Sequence, residues 1–390
     1  MPRSELTRVS HVGELPGVGA IIEKLDALTP DCHQPAKMAH QMESVGIAKC
    51  SRDTLSMVLL GLLAGLFIGL GAVFCTLVTT DISPGFGLGK LLGGLAFCLG
   101  LVLVVVAGAE LFTGNCLLVA PRMSSRIDWS QLLRNWGIVY FSNLAGSVLL
   151  VALVFYAQSW QLSAYGVGAN SLMIANAKVN LAFAPALFRG ILCNALVCLA
   201  VWLCFAARSV PGKILAIIFP ITAFVACGFE HSIANMFFIP MGMAVATQAE
   251  VVQAAGVTAA QLTNLNLLGF VHNLVPVTIG NIIGGSSVGA VYWLALLRKE
   301  RIPQAELQRA WTPDAKATAL VSVLARARDD TAFLAQLSDN PGKALAGYDL
   351  TQEEKAALAG GDINWMESRV GTLDEPLRTW FTSRLSQEKW

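Results

Sequence analysis

The sequence predicts an all-α integral membrane protein of six transmembrane helices, built as two inverted three-helix repeats with broken helices 2 and 5, and followed by a small helical cytoplasmic C-terminal appendage. Three observations carry this expectation. Of 390 residues, 55% are hydrophobic and 14% charged, with a mean hydropathy of +0.59, whereas a soluble domain carries roughly a quarter charged residues. Six apolar runs meet or approach the ~20 residues that a helix needs to cross a bilayer core. Two matching polar octets interrupt the second and fifth of those runs.

The runs are Leu55–Val78, Leu91–Ala109, Trp136–Ala157, Leu181–Ala207, Ile214–Phe229 continuing irregularly to Ala246, and Leu267–Leu297. Lysine and arginine set their orientation. Basic residues crowd the N-terminal segment (Arg3, Arg8, Lys24, Lys37, Lys49, Arg52), the second loop (Arg122, Arg126, Arg134), the fourth (Arg208, Lys213) and the end of the last run (Arg298, Lys299, Arg301). The third loop holds only Lys178, and the fifth holds no basic residue. Both termini are therefore expected in the cytoplasm, with the chain multi-pass in the cytoplasmic membrane. The domain boundaries expected are 1–53 for a cytoplasmic N-terminal segment, 54–299 for the six spans and 300–390 for a soluble helical extension. Within the first, Met38, Ala39, Met42 and Val45 recur at helical spacing after Pro35, marking an amphipathic helix over 36–45. In the last, 13 basic and 14 acidic residues among positions 298–390 accompany amphipathic stretches at 315–324, 331–337 and 351–358.

Other classes find little support. A net charge of +1 argues against a nucleic-acid partner. The nine cysteines contain no C-x-x-C and mostly lie in apolar runs, where cysteine acts as a small hydrophobe. No metal, cofactor or catalytic function is expected, and no nucleotide loop is present to drive transport.

The octets are Gly108-Ala109-Glu110-Leu111-Phe112-Thr113-Gly114-Asn115 and Gly228-Phe229-Glu230-His231-Ser232-Ile233-Ala234-Asn235. Both read G-x-E-x-x-x-x-N, and both follow a run opening with Gly-Lys (Gly89-Lys90, Gly212-Lys213). Asn143-x-x-Gly146 in the third run echoes Asn281-x-x-Gly284 in the sixth. Three spans per repeat is an odd number, so the repeats must have opposite topology, the arrangement in which interrupted helices meet near the midplane. A glutamate at that depth costs ~3 kcal/mol unless paired or wetted. Glu110 and Glu230, with Asn115, Asn235 and Asn281, are read as structural braces, since an ionised carboxylate facing the lumen would repel an anion. His231, next to Glu230 but pointing elsewhere, is the candidate lumen residue because histidine alone normally titrates near neutral pH. His272 is read as structural, and His11, His33 and His40 as ordinary cytoplasmic residues. Gly61, Gly65 and Gly69, at every fourth position, and Gly89 with Gly93, predict close helix packing.

These octets, with Asn273 to Asn281, Asn135-Trp136 to Gly146 and Asn194 to Trp202, resemble the formate/nitrite transporter family, and most closely its formate channels. The resemblance covers about Pro35 to Arg298. It implies an aquaporin-like protomer, a homopentamer with one pore per protomer, and bidirectional passage of formate, with nitrite, hydrosulfide, acetate or lactate in relatives. By position it implies that Thr113 belongs to the loop in the broken second helix and that His231 is the central histidine. It implies a cytoplasmic constriction at Leu101 and Val197 with Leu111 and Phe112 nearby, and a periplasmic one at Phe97 and Phe224. Lys178 matches a lysine that draws anions to the outer mouth, and Asn194 an asparagine contacting the glutamate–histidine pair. Two departures stand out. Gly114-Asn115 replaces Ser-Thr, and the appendage after Arg298 is foreign to typical members, resembling only faintly the small helical modules of dioxygenase small subunits and peptide-modification leaders. The readings left open are a nitrite-preferring member, a neutral-solute or water facilitator, and an appendage that recruits a cytoplasmic protein partner.

Overall fold

The computed structural model describes residues 32–81, 85–298, 318–360 and 362–370, with isolated positions at 373, 377–378 and 381. The expected cytoplasmic residue His11, most of the N-terminal segment, and residues 315–317 of the first appendage stretch lie outside these. Among the described residues every regular element is helical.

The first half runs α1 (Pro35–Ser51), α2 (Thr54–Val78), α3 (Phe86–Val106), a 3₁₀ segment (Gly114–Leu118) with the short α4 (Val119–Met123), and α5 (Trp129–Tyr156). The second runs α6 (Gly166–Val179), α7 (Phe183–Ala206), α8 (Val210–Ala226), α9 (Ser232–Val245), α10 (Ala249–Ala255) and α11 (Leu267–Tyr292), extended by a π turn to Leu297. Five of these helices (α2, α3, α5, α7 and the continuous 267–297) are long and apolar enough to cross a membrane, and α8 and α9 are shorter apolar helices that follow one another in the chain across residues 227–231. Exposed leucines and phenylalanines such as Leu55, Phe86, Phe141, Phe219 and Leu268 stud the outer surface, as expected of a surface facing lipid or another subunit rather than water.

The packing repeats with the sequence. Helix α2 packs on α3 and α5, as α7 packs on α8 and α11, and α3 meets α8 across the middle. The every-fourth glycines of α2 turn inward within the protomer. Gly61 faces Ser142, and Gly69 faces Leu150. The repeat is larger than three helices. Helix α1 packs against the 3₁₀–α4 segment, as α6 packs against α9, and the helix expected near 36–45 extends over Pro35–Ser51. Helix α6, its counterpart, falls in what reads in the sequence as the third loop.

The C-terminal residues form a separate cluster of short helices: α12 (Thr318–Asp329), α13 (Thr331–Asp339), α14 (Pro341–Ala344), α15 (Gln352–Gly360) and α16 (Ile363–Val370). Asp330 caps α13, and the Phe333 N–H it accepts holds its carboxyl below the usual range. Leu320, Leu324, Phe333, Leu337, Leu358, Met366 and Phe381 make a core of their own, distinct from that of the spans. Helix α13 rests on α1. Because the two cores are distinct, a chain ending at Arg298 is expected to keep the thermal unfolding midpoint of the membrane region. A loss of folded membrane protein on truncation would contradict this.

Candidate functional site

Both breaks close their helix on a glycine with positive φ, Gly108 at 80° and Gly228 at 69°, where any other residue would be strained. The chain then leaves helical geometry, and one asparagine from the third helix of each repeat satisfies the groups released. Asn143 Oδ1 accepts the Phe112 N–H at 3.0 Å, while its Nδ2 donates to the Glu110 and Gly61 carbonyls at 2.9 and 2.8 Å. In the second repeat Asn281 Oδ1 accepts the Ser232 N–H at 2.9 Å, and its Nδ2 donates to the Glu230 and Gly190 carbonyls at 3.0 and 2.8 Å. The mirror extends to the backbone. The Glu110 N–H reaches the Leu60 carbonyl, and the Glu230 N–H the Arg189 carbonyl. Exposed backbone at membrane depth is tolerated only when satisfied in this way.

The glutamates turn away from each other into matching ion clusters. Glu110 accepts from Lys49 at 3.0 Å, Arg52 at 2.9 Å and Asn115 at 2.7 Å. Glu230 accepts from Lys178 at 2.9 Å and Asn235 at 2.6 Å. Asn115 and Asn235 also donate to Asn135 and Asn273 respectively. Glu110, Glu230, Asn115, Asn235 and Asn281, read in the sequence as braces, all take part in these hydrogen bonds. Lys178, matched by resemblance to an outer-mouth lysine, has its ammonium on Glu230. Asn194 contacts neither Glu230 nor His231. It donates instead to the Thr113 and Asn281 carbonyls at 3.1 and 2.7 Å.

Sequence reasoning missed Lys49, Arg52, Asn135 and Asn273. A signal existed for three of them. Asn135 precedes Asn143 by the same eight residues that separate Asn273 from Asn281, and Lys49 precedes Gly61 by the same twelve that separate Lys178 from Gly190.

The repeats diverge where the two breaks face each other. Leu111 occupies the octet position that His231 holds in the second repeat, and Thr113 the position of Ile233. His231 caps α9, its Nδ1 accepting the Ala234 N–H at 3.0 Å. In neutral histidine the proton then sits on Nε2, which lies 3.0 Å from Thr113 Oγ1. Thr113 accepts that bond, and its own O–H is left to donate. The Thr113 carbonyl is fixed from the other side by Asn194 and by the Cys198 thiol at 3.4 Å. So the two breaks are joined by one hydrogen bond, and α7 pins the loop that makes it.

Apolar side chains surround this bond. Leu101, Leu111, Val197, Phe97 and Phe224 are all buried in one cluster. Phe224 stacks on the His231 ring (5.9 Å between centroids, 22°) and meets Phe97 edge-on at 5.6 Å. Phe112 belongs to the same buried cluster, and its ring also meets Trp136 and Tyr140 edge-on, with the Tyr140 ring at 4.9 Å.

A family model described as formate/nitrite transporter matches residues 36–294. The chain is similar to the formate channel FocA of Escherichia coli K12, 43% identical over 270 residues, covering 68% of this chain and 95% of that protein. It is similar to formate channel FocA of Haemophilus influenzae, 38% identical over 256 residues, covering 65% and 90%. A solved structure titled a pentameric formate channel with formate bound matches with a TM-score of 0.59 at 43% identity, covering 63% of this chain and 98% of that one. The C-terminal module lies beyond the family match. The chain is a membrane transport protein that belongs to the formate/nitrite transporter family.

Proposed function

We propose that this protein is a homopentameric channel of the cytoplasmic membrane, with both termini in the cytoplasm, that passes formate or a similar small monovalent anion down its gradient. The observation that carries the reading is the Thr113–His231 bond at the junction of the two breaks, enclosed by apolar side chains. Rings of apolar residues select by size and by the cost of wetting a narrow passage. Leu101, Val197 and Leu111 form the cytoplasmic constriction, and Phe97 and Phe224 the outer one. Between them the Thr113 hydroxyl donates to the carboxylate, and His231 Nε2–H supports that hydroxyl or, once the ring has taken up a proton at Nδ1 and become imidazolium, passes one proton to the carboxylate and returns to the neutral form. The orientation is supported by the lysine and arginine distribution, and the pentamer by similarity to the pentameric formate channel.

Competition tests the substrate. With purified protein in liposomes, uptake of labelled formate is expected to fall with unlabelled formate, nitrite, hydrosulfide and acetate, most with formate. Strongest competition by nitrite would assign the protein to the nitrite-preferring branch and overturn the formate reading.

A further inference from the structure

Phe97 meets a second ring besides Phe224. Phe238, on α9, lies nearly parallel to it, 20° between planes and 6.4 Å between centroids. Phe238 is covered in turn by the Lys178 ammonium at 5.4 Å, inside the ~6 Å range of cation–π attraction. Lys178 is itself held on Glu230 at 2.9 Å. The contacts therefore run Glu230, Lys178, Phe238, Phe97, Phe224, His231, leaving one residue of the second break and returning to its neighbour. Among the described residues no such chain of contacts runs through the first repeat. With the octet offset, position 238 corresponds to Leu118, which packs with Cys50, Ile127 and Leu132.

We propose that Phe238 is a further specificity-determining residue that sets the width of the phenylalanine constriction by fixing the tilt of Phe97. This rests on the reading of Phe97 and Phe224 as the outer constriction. The terminal torsion of phenylalanine is broad, so a ring bordering a passage keeps one tilt only if its neighbours hold it. Phe224, edge-on, leaves one direction of tilt unopposed, and Phe238, nearly parallel, opposes it. A single aromatic contact holds a ring only weakly against thermal motion, so the lysine-anchored second ring decides whether Phe97 is held or free. The chemistry it discriminates is size at the carboxylate's far end, a hydrogen in formate against a methyl group in acetate.

The test compares formate and acetate flux in liposomes for Phe238→Met, which keeps an apolar side chain without the ring, and for Phe238→Tyr, which keeps the ring. The acetate-to-formate ratio is expected to rise by roughly tenfold in Phe238→Met, the lower end of what one methylene is worth in an apolar pocket, and to stay at the wild-type value in Phe238→Tyr. Phe238→Leu serves the same purpose if Phe238→Met does not assemble. An unchanged ratio in Phe238→Met alongside a raised ratio in Phe97→Ala overturns the proposal and leaves the constriction intact. An unchanged ratio in Phe97→Ala as well shows that the constriction reading itself has failed.

Discussion

Replacing His231 by alanine is expected to abolish the pH dependence of formate flux and to reduce the flux at least tenfold, the scale on which removing one positioned hydrogen-bond donor in a water-poor site acts. Two consequences of one substitution combine. The Thr113 hydroxyl loses the Nε2–H that orients it, and α9 loses the cap that Nδ1 gives to the Ala234 N–H. His231→Asn separates the two. Its side-chain oxygen is a good N-cap acceptor but the side chain does not titrate, so it should restore the stability of the assembly and not the pH response. Thr113→Val keeps the shape of threonine without the hydroxyl, and should reduce formate flux with little loss of stability. Proteoliposome flux across a range of pH checks all three. Wild-type flux and wild-type pH dependence in both His231→Ala and Thr113→Val would remove the role assigned to the pair.

The second large effect concerns stability. Lys178→Met leaves the Glu230 carboxylate, 5% exposed, without the only cation paired with it among the described residues, and stranding a buried charge costs ~3–5 kcal/mol. Adding Glu230→Gln removes the charge and should recover most of that loss. Lys49→Met should be milder, because Arg52 still holds Glu110 at 2.9 Å. Thermal melting of the detergent-solubilised protein, read by size-exclusion chromatography, should rank Lys178→Met below Lys49→Met. The reverse ranking would mean that the two clusters do not bear charge as their geometry indicates.

That asymmetry also marks where the sequence stops being legible. The breaks could be read directly, because Gly108, Glu110 and Asn115 recur as Gly228, Glu230 and Asn235, and few other reasons place glutamate in an apolar run. His231 could be read because a titratable ring beside such a glutamate is uncommon. Their partners could not be paired with certainty. Lys178 lies 52 positions before Glu230, and its place near the end of a loop suits a surface lysine equally well. Helix α6 escaped because it is neither long enough for a span nor charged enough on one face to stand out, and it becomes recognisable only as the counterpart of α1. Cys198 and Phe238 look like any core residue of an apolar helix. Their roles come from what α7 and α9 bring them against, the Thr113 carbonyl and the Phe97 ring, which no local pattern records.

The central claim is that two broken helices, joined through Thr113 and His231, make a passage for a small anion. The measurement closest to it is solute entry into liposomes carrying the purified protein, with formate and glycerol offered at equal osmotic strength. Rapid formate entry with glycerol excluded is the predicted result. Rapid glycerol entry with formate excluded would contradict it and assign the protein to neutral-solute passage.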